Sequence, residues 1–318
     1  MPPDPAKRGG NRPRRRDGET TRRRDDDWRL LAMSASDTFR TVDRYGLSHP
    51  TDLVMCILVS CEHGGTRVPT WVWPALGHSS GKPRTPVDSA ARFASVGLSE
   101  RLGDLRADGR CLVENEYAAW LIDVARNVAH PRAFSPVTRR LPRTIRHRLI
   151  REVHEGYRRE LRQRLSQVLV RYGIVVHLAV TTFPWRPGAG PWPPGAGNDR
   201  EPWRADVGLG YDPSSTTELA IGIDWVGELY DRSPMLRVRR NYPRRGQRDC
   251  VTRAMRDHFA GMRYYGIELQ LNRSWAARPL GVRDRVLNLL GESLRSTLEP
   301  LRAPVALPSP PGGNVAVA

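Results

Sequence analysis

Three short apolar runs do most to restrict how this chain folds. "VMCILVS" (54–60), "IVVHLAV" (174–180) and "YGIELQL" (265–271) each stop at polar or turn-forming residues. Strands buried on both faces read this way, because helices cover both sides of a parallel sheet. The opposite signature lies between the first two. From Ile145 to Tyr172 the apolar positions are Ile145, Leu149, Val153, Tyr157, Leu161, Leu165 and Leu169. That spacing puts one apolar stripe on a long helix coated with arginine. Further helices are expected from Asp88 to about Leu105, with Asp88 near the N-cap, and near 215–230, 248–261 and 279–298. "YAAWLIDVA" (117–125) reads as one more strand. Strands and helices alternate without an internal repeat. The expected fold is therefore a single α/β domain of three αβα layers around a mainly parallel or mixed sheet.

Both ends of the chain lack this pattern. Residues 1–32 centre on "RPRRRDGETTRRRDDDWR", too poor in apolar groups to offset ordering entropy, and are expected to be a disordered basic tail. Met33 reads as an alternative start, so that tail need not be translated. The domain is expected over 33–300, and the Pro/Gly-rich 301–318 is expected to be a second loose tail. With 39% hydrophobic residues in 318, a sizeable core is available. No run approaches the roughly 20 apolar residues of a membrane span, and the N-terminus has no apolar signal-peptide core. Cys56, Cys61, Cys111 and Cys250 show no paired spacing, which suits reduced thiols in a cytoplasmic protein. The net charge of +17 comes almost wholly from arginine spread along the chain. Without a nucleic-acid-binding signature, it is read as compositional bias. Arginine also grips carboxylate ligands bidentately.

In open α/β sheets, ligands bind beyond the carboxyl ends of the strands. The residues there are "CEHGG" after the first run, "DVARN" near 123–127, "TTFPW" after the second and Glu268 within the last, with Asp88 opening a helix toward the same region. A catalytic zinc takes about three His, Asp or Glu ligands plus a water, whose pKa it lowers to about 7. Glu268 would then serve as proton carrier. A lone histidine at a strand end is more often a hydrogen-bonded structural residue than a metal ligand, so spacing alone makes the weaker case for a metal. No HExxH is present.

These segments also occur in a familiar order. "SCEHGGTRVP" (60–69), "VDSAARFA" with Asp88, "LIDVARNVAHPRAFSPVTRRLP" (121–142), "VHEGYRRELRQRL", "HLAVTTFPW", "ADVGLGYDP", "RVRRNYPRRGQRDCVTRAMR" and "YYGIELQLNR" run colinearly over roughly residues 50–275. The series resembles the N-formylglutamate amidohydrolase family, related in fold to zinc carboxypeptidases and aspartoacylase. The resemblance implies a hydrolase that cleaves the amide of an N-formyl or N-acyl amino acid, a small-molecule substrate, by metal-activated water. On that basis His63 and Asp88 are the expected zinc ligands and Glu268 the expected general base. Arg126, Arg240 and Asn241 are the expected substrate-carboxylate contacts. Two positions depart from the family pattern: Thr181 stands where a histidine is usual, and Ala125 where an asparagine is usual. They raise an alternative, a catalytically impaired member that binds a ligand or partner.

Overall fold

The computed structural model describes residues 55–76, 87–102, 112–183 and 205–302. The chain divides into two units, Met1–Thr51 and Asp52–Ala318, and every described residue lies in the second. The tails and the loop centred on 185–203 fall outside the described residues.

Six strands form one sheet in the order β2-β1-β3-β6-β4-β5. They are β1 (Met55–Cys61), β2 (Leu112–Glu114), β3 (Ile174–Phe183), β4 (Val207–Gly210), β5 (Val238–Arg240) and β6 (Tyr264–Asn272). β2, β1, β3 and β6 are parallel, while β4 joins β6 antiparallel and carries β5 parallel to itself. The sheet is mixed, as expected, and all three apolar runs sit in its parallel part.

Strand alternation sends the core to both faces. Met55, Ile57, Val59, Val176, Leu178, Val180, Ile267 and Leu269 point to one side. There they meet α1 (Ser89–Leu102), α4 (Thr216–Arg232) and α6 (Leu280–Arg302). Cys56, Leu58, Val175 and Ala179 point to the other side, toward α2 (Arg143–Leu149), α3 (Glu155–Tyr172) and α5 (Val251–His258). The result is the three-layer αβα arrangement.

The long arginine-coated helix forms with one interruption. A π-helical turn, Ile150–His154, separates α2 from α3. A repeat of four outruns the 3.6-residue helical turn, so the stripe drifts around the helix. The wider π-turn absorbs that drift, and Leu149, Val153, Tyr157, Leu161 and Leu165 all remain buried. Gly173 ends α3 with φ 76°, its N–H bonded to the Leu169 carbonyl, a left-handed cap for which glycine is suited.

The strand expected over 117–125 does not form. The strand in this region is the shorter β2, and 117–125 is a series of turns with bridges only at Tyr117 and Ala118. Polar side chains take the place of a ladder here. Asn115 accepts from the Tyr117 N–H and donates to the Tyr117 carbonyl, and Asp123 accepts from the Ala125 N–H. Leu121, Ile122 and Val124 are nonetheless fully buried, which is why the segment looks like a strand in sequence.

Cys56, Cys61 and Cys250 are buried. Among the described residues no helix is long and apolar enough to cross a membrane. Leu161 is fully buried in the α3 stripe, whereas Val170 on the same helix is 63% exposed. Leu161→Ala is expected to lower unfolding free energy by about 2–5 kcal/mol, and Val170→Ala to change it by no more than about 0.5 kcal/mol. Denaturant unfolding of the two variants checks this.

Candidate active site

Because β1 and β3 are parallel neighbours, their carboxyl ends share one edge. β1 delivers Glu62 and His63 there, and β3 delivers Thr181 and Thr182. After His63 the chain presses against the backbone of 115–118, with Gly65 bridged to Ala118. A Cβ on Gly65 would collide with the Asn115–Glu116 backbone, so the "HGG" turn follows from steric need.

His63 is held by Asp123. Its Nε2 lies 2.8 Å from Asp123 Oδ1, and both side chains are 17% exposed. The carboxylate accepts, so Nε2 carries the proton and Nδ1 is left with a lone pair. Nδ1 has the Thr181 hydroxyl 3.5 Å away. Burial alone would lower the imidazole pKa, but the charge and hydrogen bond of Asp123, with Glu62 adding, raise it above its usual value. Burial of Asp123 pushes its own pKa up, yet His63 and then Arg126 overcome this and hold it well below the carboxylate range.

Asp123 is fixed from behind. Arg126 Nε donates to Asp123 Oδ2 at 2.9 Å. The Val124, Ala125 and Arg126 carbonyls accept from Arg158, and the Arg126 carbonyl also accepts from His154 in the π-turn.

Under His63 lies a buried polar chain. Tyr264 donates to His177 Nδ1 at 2.7 Å, His177 Nε2 donates to Ser60 at 2.7 Å, and Ser60 donates to Glu62 Oε1 at 2.7 Å. Tyr157 also donates to Glu62 Oε1, at 2.8 Å. Burial, then Arg256, lowers the His177 pKa to about 3, so the ring is neutral. Burial raises the Glu62 pKa, and Glu268 pushes it further.

The two expected zinc ligands, His63 and Asp88, line the same cleft. Asp88 caps α1 through Oδ1, which accepts from the Ala91 N–H at 3.0 Å. Its Oδ2 accepts from the Thr182 hydroxyl at 2.5 Å and the Thr182 N–H at 3.3 Å, with Arg273 at 3.7 Å. Both oxygens are therefore engaged, and Asp88 ties α1 to β3. His63 offers one nitrogen, and Thr181 is a weak donor beside it. Among the described residues no three His, Cys, Asp or Glu side chains assemble into a group that could hold a metal ion. The donor set does not fit the three-ligand zinc site of the sequence expectation.

The other expected site residues lie off the cleft. Glu268 pairs in register with Ala179, one pleat short of the Thr181–Gln270 pair, and its Oε1 accepts from the Thr252 hydroxyl at 3.1 Å. Arg126 backs Asp123. Arg240 is exposed at the end of β5. Asn241 occupies a left-handed turn (φ 52°), and its Oδ1 accepts from the N–H groups of Tyr211 and Gly246. It shapes the loop leading to Arg244.

A cleft of about 710 Å³ opens in front of His63, Asp88, Asp123, Thr181 and Thr182. Arg132, Arg139, Arg244 and Arg273 border it, and none of these arginines was selected from the sequence. Arg139 is held by the carbonyls of Pro131 and Phe134, and Arg273 by Thr182 and Asp88. Arg132 and Arg244 pair with no carboxylate among the described residues. Asp123, within "DVARN", was not among the site residues selected from the sequence. Its only mark in the sequence is its place near the end of an expected strand. The His63 resonance is expected to titrate with a midpoint above 6.5, and Asp123→Asn to move that midpoint down. NMR titration of the imidazole checks both.

The profile of the N-formylglutamate amidohydrolase family (FGase) matches residues 55–273. No curated protein sequence matches the chain. Among solved structures, the gene product Atu2144 from Agrobacterium tumefaciens superposes with a TM-score of 0.56 at 18% identity, covering 77% of this chain and 90% of that one. An N-formylglutamate amidohydrolase from Ralstonia eutropha JMP134 superposes with a TM-score of 0.53 at 18% identity, covering 77% and 94%. At that identity these two likenesses establish the fold, while the profile match spans more than half of the sequence and includes every strand and the whole cleft. The chain belongs to the N-formylglutamate amidohydrolase family.

Proposed function

We propose that the protein hydrolyses the amide of an N-acylated acidic amino acid, with His63 as general base. The observation that carries this reading is the His63–Asp123 pair, whose unprotonated Nδ1 faces a cleft bordered by four arginines. Family membership supports an amide-cleaving hydrolase acting on a small molecule. The intact pair and the arginines favour this over the ligand-binding alternative.

In the proposed reaction, a water hydrogen-bonded to Nδ1 from the cleft side gives a proton to His63 as its oxygen attacks the acyl carbon. Negative charge develops on the carbonyl oxygen, where a guanidinium from the cleft stabilises it. The imidazolium, stabilised by Asp123, returns the proton to the departing nitrogen as the C–N bond breaks. The products are a carboxylic acid and the free amino acid. Arg132 and Arg244, the two cleft guanidinium groups that neither a carboxylate nor a carbonyl holds among the described residues, bind the substrate's carboxylates. The expected zinc enters no step, and Glu268 bears on the site through its charge near Glu62.

Release of acid from N-acyl-glutamate and N-acyl-aspartate tests this reading. His63→Ala and Asp123→Asn are expected to lower kcat by roughly 10²-fold or more, the share typical of a positioned general base. Arg132→Ala and Arg244→Ala are expected mainly to raise KM, by about tenfold or more, as for loss of a charge-assisted hydrogen bond. Unchanged kcat in the His63 and Asp123 variants would contradict the assignment.

A further inference from the structure

The cleft is larger and more apolar than a formyl group needs. Its volume of about 710 Å³ lies in the upper part of the range that suits ligands of drug size, roughly 300–1,000 Å³. One wall is built from two segments held together next to the catalytic pair. The Asp123 N–H donates to the Ala133 carbonyl at 2.7 Å, and the Thr138 hydroxyl lies 3.5 Å from the Trp120 carbonyl. This stitching sets Trp120, Pro131, Phe134 and Pro136 along the cleft beside Asp123. Trp120 is 9% exposed and Phe134 half-buried, so both are anchored in the core beneath while still lining the opening. At the opposite end of the His63 ring, Thr181 fills less space than an imidazole would.

These contacts have no use for a formyl group, which has no apolar arm. The arginines account for a substrate's carboxylates but not for an aromatic and proline wall that begins beside Asp123. Resting on the amide-hydrolase reading above, we propose that the preferred substrate carries an acyl group much larger than formyl. The arm would be an aliphatic or aryl chain lying against Trp120 and Phe134. Trp120 and Phe134 then set specificity for the acyl side, while Arg132 and Arg244 set it for the amino-acid side.

The test compares kcat/KM of the full chain for N-formyl-, N-hexanoyl- and N-benzoyl-L-glutamate. One methylene in an apolar pocket shifts kcat/KM by roughly 10–200-fold. The hexanoyl or benzoyl compound is therefore expected to exceed the formyl compound by at least about tenfold. Phe134→Ala and Trp120→Phe are expected to lower the hexanoyl-to-formyl ratio, and both keep enough of the wall to fold. Equal or faster turnover of the formyl compound would overturn the proposal while leaving the hydrolase reading intact. If none of the three is hydrolysed, the hydrolase reading fails, and calorimetric binding decides the acyl preference separately. Tighter binding of N-hexanoyl- than N-formyl-glutamate supports the wall as an acyl site, and equal or weaker binding rejects it.

Discussion

The hydrogen-bonded pair of His63 and Asp123 organises this end of the molecule. It joins the edge of the parallel sheet to the turn-rich segment that replaces a strand after β2. With Asp123 accepting at Nε2, the imidazole has a defined tautomer, and Nδ1 keeps a lone pair with the Thr181 hydroxyl 3.5 Å away. Carboxylate and imidazole each make the other's charge cheaper to hold, and so the histidine pKa rises while that of the aspartate falls. A histidine in this state accepts a proton from water and keeps it long enough to deliver it elsewhere.

The surroundings serve that pair. Arg126 fixes the second Asp123 oxygen, and Arg158 and His154 hold the backbone from which Asp123 projects. The π-turn that re-phases the long helix also brings His154 to the Arg126 carbonyl. Below the sheet edge, Ser60, His177, Tyr264 and Tyr157 satisfy the buried Glu62 at the base of the His63 turn. A half-satisfied network at this depth would be costly, so these residues fix the turn as firmly as its packing does. Asp88, an N-cap with both oxygens engaged, anchors α1 to the same edge.

Much of the architecture was legible in the sequence because burial leaves a direct trace. Short, largely apolar runs marked β1, β3 and β6, and the spacing of four marked α2–α3. "YAAWLIDVA" misled for the same reason: its side chains are as buried as a strand's, but Asn115 and Asp123 satisfy the backbone locally. In the site, His63 was legible from its place after a strand. Its partner was not, because Asp123 meets it across 60 positions of chain. The cleft arginines were hidden by abundance. In a chain so rich in arginine, no local pattern separates Arg132 and Arg244, on two distant loops, from those that coat the helices. Glu268 looked like a cleft base because a carboxylate in a buried strand needs a reason, and the fold supplies a different one in Thr252.

The claim that His63, held by Asp123, is the base of an amide hydrolase is tested most directly by the pH dependence of kcat/KM. The account predicts an acid limb with a midpoint above 6.5, because protonated His63 cannot accept the proton of water and Asp123 raises its pKa. In Asp123→Asn the limb should move to lower pH along with the fall in rate. A profile that stays flat from pH 5 to 8, or a limb that does not move in Asp123→Asn, would contradict it.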